Sequence, residues 1–224
     1  MKQEIKIISN VEKFLKCSLE HKAPYLVEVR GISLWVHPQV ISPKYSYAPQ
    51  FIVDHWDIKK GMSVLDVGTG SGILAIFAAL YGASKVVGVD INQYAVETAK
   101  KNVKLNQLND RVEIVESDVY ANVGNKLFDR VIFNAPYWNR KDDPNYQLTY
   151  GVYDLNYQST KKFLNEAKKY LAPKGKILLG FARQDDIQLM EEIISDAGLK
   201  IDKIVEETKG HTRVLYYLST RSKQ

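Results

Sequence analysis

The chain has 224 residues, 45% hydrophobic and 25% charged, the make-up of a globular protein with one sizeable α/β core or one domain and a small appendage. A net charge of +5 and a pI near 9.0 permit an acidic partner such as RNA, DNA or an acidic protein without naming one, because the lysine pairs are scattered as on solvated helix faces. The single cysteine, Cys17, excludes a disulfide framework and a cysteine-rich zinc site; with no visible secretory leader and no apolar run near the ~20 residues of a membrane span, the expected setting is a reducing cytoplasm.

Residues 1–45 are expected to form a small α+β extension ahead of a main domain over 46–224. Over 5–19 the apolar residues Ile8, Val11, Phe14 and Leu15 recur at helix-compatible spacing, with Asn10 placed as a cap. Two short strands, 25–29 and 32–36, flank Arg30-Gly31 and read as a hairpin, and 49–56 reads as a helix. From there strands and helices alternate. Strands are expected at 64–67, 85–90, 112–116 and 128–134, and helices at 72–81 and 93–106. After a polar loop over 138–156 come a helix at 159–171, a turn at Pro173-Lys174-Gly175, a strand at 176–182 and a helix at 185–197. Strands at 200–207 and 213–219 close the chain as an antiparallel hairpin. This rhythm predicts an α/β fold: a seven-stranded, mostly parallel sheet with helices on both faces and one antiparallel member.

Ligands of such sheets sit at the carboxyl ends of the strands, and the chemistry-bearing residues fall there. The run Val-Leu-Asp-Val-Gly-Thr-Gly-Ser-Gly over 64–72 delivers Asp66 into a turn built on Gly68, Thr69, Gly70 and Gly72, and a helix follows at once. Its spacing is not Gly-x-Gly-x-x-Gly, since Ile73 stands where a dinucleotide fold wants its last glycine. That points away from NAD and toward S-adenosylmethionine, which has no pyrophosphate to cradle. Asp90, followed by Ile91, ends the next strand and can accept both hydrogen bonds of a ribose diol; the alternative is a helix cap, a task open to Asn92. Asp118 can accept from an adenine amine while the Val119 N–H meets a ring nitrogen, or it is a plain turn aspartate.

On these residues the chain resembles the class I S-adenosylmethionine-dependent methyltransferases over residues 45–220, which implies a Rossmann-like sheet. The 64–72 segment looks like their first motif, Asp90 like their ribose acid and Asp118 like their adenine acid. Asn134-Ala135-Pro136-Tyr137 is similar to the Asn-Pro-Pro-Tyr signature of amino-methylating members, whose targets are planar –NH2 groups. The lone pair of such a nitrogen is delocalised and a poor nucleophile. Two acceptors, the Asn134 side-chain oxygen and the Ala135 carbonyl, can each take one N–H and turn the lone pair toward the methyl donor, with Tyr137 stacking on the plane. Ala135 replaces the usual first proline, which loosens φ and adds an N–H but keeps the carbonyl.

The flanks over 35–43 and 209–214 resemble HemK-type protein-glutamine methyltransferases, although the N-terminal part is shorter than the helical bundle of the release-factor modifiers and lacks their Arg-Pro loop. The resemblance implies an N-methyltransferase acting on a glutamine-type amide of a protein or peptide. RNA or DNA bases (adenine N6, guanine N2) and small molecules are the alternative acceptors. No metal is expected, since His21, His37, His55 and His211 lack ligand spacing. Trp138, Tyr146, Tyr150 and Tyr153 make the 138–156 loop either a substrate lid or an aromatic surface loop.

Overall fold

Alternation of buried and exposed positions sets the first element pair. In the computed structural model, which describes residues 15–141, 147–183, 187–209 and 211–221, β1 (Tyr25–Val29) and β2 (Ile32–Val36) pair antiparallel from Tyr25↔Val36 to Val29↔Ile32. Arg30 and Gly31, at φ 52° and 76°, form the two-residue turn, whose doubly positive φ matches the twist of the strands. The Arg30 guanidinium then grips both carboxylate oxygens of Asp54 at 2.6 Å, tying the turn to α1 (Ala48–His55). Of the helix expected over 5–19, residues 15–19 are helical; the rest, with Asn10, lies outside the described residues.

The main sheet has seven strands in the order β5-β4-β3-β6-β7-β9-β8. β3 (Ser63–Val67), β4 (Lys85–Asp90), β5 (Val112–Glu116) and β6 (Phe128–Asn134) run parallel, and β6 pairs parallel with β7 (Leu171–Arg183). β9 (His211–Thr220) runs antiparallel between β7 and β8 (Leu199–Lys209), so it is the one reversed strand. The expected fold is therefore the observed one.

Each face carries its own apolar layer. α1, α2 (Ile73–Leu80), α3 (Gln93–Leu105) and the inner side of the β1–β2 hairpin pack on one face with Val64, Val86, Ile132, Leu178 and Leu215. On the other face α4 (Gln158–Glu166) and α5 (Ile187–Asp196) pack with Leu65, Val87, Val131, Leu179 and Tyr216. Strands covered on both faces read as continuous apolar runs, which is why β6 was legible.

Two expectations need correction. The helix expected over 159–171 ends at Glu166 and tightens into a 3-10 turn, Ala167–Tyr170, because Ala167 is fully buried and Tyr170 stacks on Tyr120 at 4.3 Å. The Pro173-Lys174-Gly175 turn does not precede its strand; it is an irregularity inside β7, where Leu171 faces Phe128 and Lys176 faces Arg130. Lys174 takes the left-handed conformation there, at φ 66°. No helix among the described residues is long and apolar enough to cross a membrane.

One buried side chain joins the hairpin to the glycine turn. Asn102 is fully buried on α3; its Oδ1 accepts from Trp35 N (2.7 Å), and its Nδ2 donates to Trp35 O and Ser71 O (both 2.8 Å). Replacing it would strand three backbone groups out of water. Asn102→Ala is expected to cost about 2–4 kcal/mol, read from the urea midpoint, and an unchanged midpoint would show the staple to be idle.

Candidate active site

The carboxyl ends of β3, β4, β5 and β6 surround a cavity of about 570 Å³, within the usual size of a small-molecule site. β3 delivers Asp66 into the glycine turn, where Gly68, Gly70 and Gly72 stand at φ 64°, 56° and 82°. A side chain at Gly72 would also meet Ala99 Cβ at 3.1 Å, so glycine lets α2 start close against α3. The turn is then fixed by two carboxylates. Asp66 Oδ2 accepts from Thr69 Oγ1 (2.7 Å), and Asp90 Oδ2 accepts from Gly70 N (2.8 Å).

Asp90 Oδ1 accepts from Asn92 N (2.9 Å), yet the cap of α3 is Asn92, whose side chain accepts from Tyr94 N. Each oxygen of Asp90 thus holds one backbone donor and keeps acceptor capacity toward the cavity it lines. Burial pushes its carboxyl above the usual range, against the pull of those N–H donors. Asp66 is 1% exposed and its Oδ1 has no hydrogen-bond partner among the described residues. Burial pushes its carboxyl up to about 7; the Thr69 hydroxyl draws it down and the Asp90 charge adds to the rise.

Asp118 and Val119 line the third side. Val119 sits at φ 54°, a strained conformation for a β-branched residue. Ser117 holds it there, its Oγ donating to Val119 O (3.1 Å) and accepting from Asn122 N (3.0 Å). Asp118 is exposed and its Oδ2 takes Lys162 Nζ at 2.6 Å, its other oxygen making no hydrogen bond among the described residues. The fourth side is the end of β6. Asn134 and Pro136 line the cavity, with Ala135 and Tyr137 beside them in the chain; Asp66 and Gly72 likewise flank the lining residues of the glycine turn. Ala135 N donates to Gly180 O (3.0 Å), so the N–H that a proline would lack is satisfied. Tyr137 packs between the α4–α5 layer and the small Trp138–Val152 cluster.

Several contributing residues carried weaker sequence signals. Gly180 lies opposite Asn134 on β7, and a Cβ there would stand 3.3 Å from Asn134 Oδ1 and 2.7 Å from Ile52 Cδ1. An isolated glycine inside an apolar strand was its only mark. Gln39, Val40 and Ile41 form an outer wall, with Asn92 Nδ2 donating to Gln39 O (2.8 Å). Gln147, Leu148, Tyr150 and Tyr153 of the 138–156 loop complete that wall, while Trp138 is buried and Tyr146 lies outside the described residues. Asp154 anchors the loop's end, accepting from Ser159 N, Thr160 N and Thr160 Oγ1 at 2.8–3.0 Å. Among the described residues no cluster could hold a metal ion.

The raised Asp66 carboxyl has a measurable consequence. The folded protein keeps that proton up to about 7, while an unfolded aspartate releases it near 4, so the folded state binds the extra proton in between. This group therefore lowers stability as pH rises from about 4 to about 7 and adds no slope above. In urea unfolding, Asp66→Asn is expected to gain on the wild type across that window; a pH-independent difference between the two would contradict the assignment.

Comparison with known proteins agrees with this geometry. Residues 51–135 match the family model of the ribosomal protein L11 methyltransferase (PrmA). A Methanocaldococcus jannaschii protein whose name assigns it, provisionally, to protein N5-glutamine methylation is 41% identical over 53% of this chain and 57% of its own. The ribosomal protein uL3 glutamine methyltransferase of Francisella tularensis is 28% identical over 74% of this chain and 58% of its own. The chain thus spans just over half the length of each of these relatives. Among solved structures, Methanocaldococcus jannaschii Trm5 in complex with adenosine superposes with a TM-score of 0.64 at 21% identity, over 91% of this chain and 58% of that one, which speaks for the fold. In sheet order, glycine turn and these matches the chain is similar to methyltransferases.

Proposed function

We propose that the protein is an S-adenosylmethionine-dependent N-methyltransferase of HemK type whose acceptor is the side-chain amide of a glutamine in a protein or peptide. The observation that carries this reading is Asn134, held at the end of β6 with its Oδ1 against Gly180 and facing the cavity that the glycine turn opens onto. Relatives named for protein glutamine methylation favour the amide over a nucleobase. The free thiol Cys17 fits a reducing, cytoplasmic setting. In this reading residues 46–224 carry cofactor and acceptor, and the hairpin of the 1–45 extension braces α3.

The residues present suit the cofactor. Asp90 offers two oxygens with spare lone pairs to a ribose diol. Asp118 keeps one carboxylate oxygen for the adenine amine, beside the strained backbone of Val119. Gly68, Thr69 and Gly70 line the wall between these acids, with Ile91 at its outer end. When bound, S-adenosylmethionine supplies a methyl group already activated on a sulfonium.

The protein's part in the chemistry is orientation. Asn134 Oδ1 and the Ala135 carbonyl accept the two N–H bonds of the amide, which fixes the nitrogen plane and favours the positive charge that grows on nitrogen as the N–C bond forms. The Ala135 N–H bond to Gly180 O does what proline's ring would do, by restraining the loop backbone through a donor instead of a ring. Pro136 limits the next φ. Tyr137 is the aromatic side chain left to stack on the planar group. No base need act before transfer; the nitrogen loses its proton to solvent afterward.

The test is transfer of tritium from methyl-labelled S-adenosylmethionine into cell extract. Label lost to protease and recovered as N5-methylglutamine after enzymatic digestion supports the reading; label that survives protease and is released by RNase overturns it. On the acceptor so identified, Asn134→Ala should reduce kcat by ~10²–10³ with cofactor affinity kept, as for one lost transition-state acceptor. An unchanged kcat would remove Asn134 from the mechanism.

A further inference from the structure

Arg213 has no place in the cofactor site, yet it lies on the same face of the sheet as Asn134 and beyond it toward the carboxyl edge. Along β9, Leu215 and Tyr217 face the α1 layer and Val214 and Tyr216 the opposite one, so Arg213 projects to the α1 side. Asn134 shares that side, in step with Ile132 and against Ile52 of α1. Register fixes their separation. Asn134 pairs with Gly180, Gly180 with Leu215, and Arg213 with Ala182. Two strand spacings of about 4.8 Å and two residues of about 3.3 Å put the two Cα atoms about 12 Å apart, with Arg213 further out at the carboxyl edge. That distance is three or four residues of extended peptide, at about 3.3–3.6 Å each.

The charge at this place is costly and, among the described residues, unmatched. The Arg213 side chain is half-buried; burial pushes its pKa down, and Tyr137 opposes that fall. The carboxylate opposite it in the strand pair, Glu207, is committed to Lys209 Nζ (2.6 Å) and to Tyr47 OH (3.2 Å). Among the described residues no hydrogen bond or ion pair reaches the Arg213 side chain. A half-buried cation gains from an anion, and among the described residues none supplies it. Its planar fork suits a carboxylate.

We propose that Arg213 binds a carboxylate of the acceptor polypeptide, within three or four residues of the methylated glutamine, and so selects acidic sequences around the target. This rests on the glutamine-amide reading and adds a specificity residue to it.

The test uses the full chain and synthetic peptides with one central glutamine, carrying either glutamate or its neutral isostere at each of the four positions on either side. Wild-type protein is expected to prefer a glutamate at one of these positions. Arg213→Gln should then raise KM for that peptide by about 10- to 100-fold, the worth of one charge-assisted hydrogen bond. Its kcat should stay within about twofold, because the residue positions substrate away from the reacting atoms. Arg213→Lys should recover part of the loss, and Arg213→Glu should reverse the preference toward lysine-flanked peptides. Affinity for S-adenosylmethionine, measured by calorimetry, should not move in any variant, which separates this effect from misfolding. Equal KM values for acidic and neutral peptides in wild type and Arg213→Gln would overturn the proposal and leave the glutamine reading intact. Failure of every peptide, with label entering bulk tRNA in an Arg213-dependent way, would overturn both and assign the arginine to phosphate. Failure of every peptide without such labelling also overturns both.

Discussion

The Asp90 carboxylate is the contact on which the site depends. It ends β4, and its two oxygens draw the Gly70 N–H from one side and the Asn92 N–H from the other. A glycine turn at positive φ has no side chains of its own to hold it, so its shape must be set by groups outside it. Asp90 supplies one such restraint and the Asp66–Thr69 bond supplies the second. Both carboxylates sit at adjacent strand ends with proton affinity raised by burial, and at Asp66 the Asp90 charge adds to the rise. A site that already holds two acids close together and partly desolvated is prepared to receive donors and positive charge.

The rest of the molecule holds those strand ends in register. The β1–β2 hairpin does not touch the cavity, but Asn102 makes it part of the same rigid unit as the turn by bonding Trp35 and Ser71 at once. On the far side, Gly180 lets Asn134 and Ile52 approach β7 together, and its carbonyl takes the Ala135 N–H. In the proposed reading, cofactor wall and acceptor wall are set by neighbouring strands of one sheet, β4, β3, β6 and β7. Rigid placement of this kind is what an orientation-driven transfer requires.

How much of this was legible in sequence follows from how local each signal is. Strands β4, β5 and β6 and the β1–β2 hairpin have the expected ends, because an apolar run bounded by polar turn residues reports its own limits. The positions of the acids at 66, 90 and 118 were legible for the same reason: Asp66 stands one residue before the end of β3, Asp90 ends β4 and Asp118 follows β5. What depended on tertiary context was not. The shortened α4 and the irregularity in β7 arise because Tyr170 must reach Tyr120 and Leu171 must face Phe128, pairings that local propensity cannot show. Gly180 and Asn102 carry their roles through partners on other elements.

The central claim is that one carboxylate both shapes the glycine turn and receives the ribose of S-adenosylmethionine. Calorimetric titration of Asp90→Ala with S-adenosylmethionine, on protein whose urea midpoint shows it folded, tests it most directly. The account predicts a Kd at least about tenfold weaker, the loss of hydrogen bonds to a charged acceptor. A Kd equal to that of the wild type would contradict it.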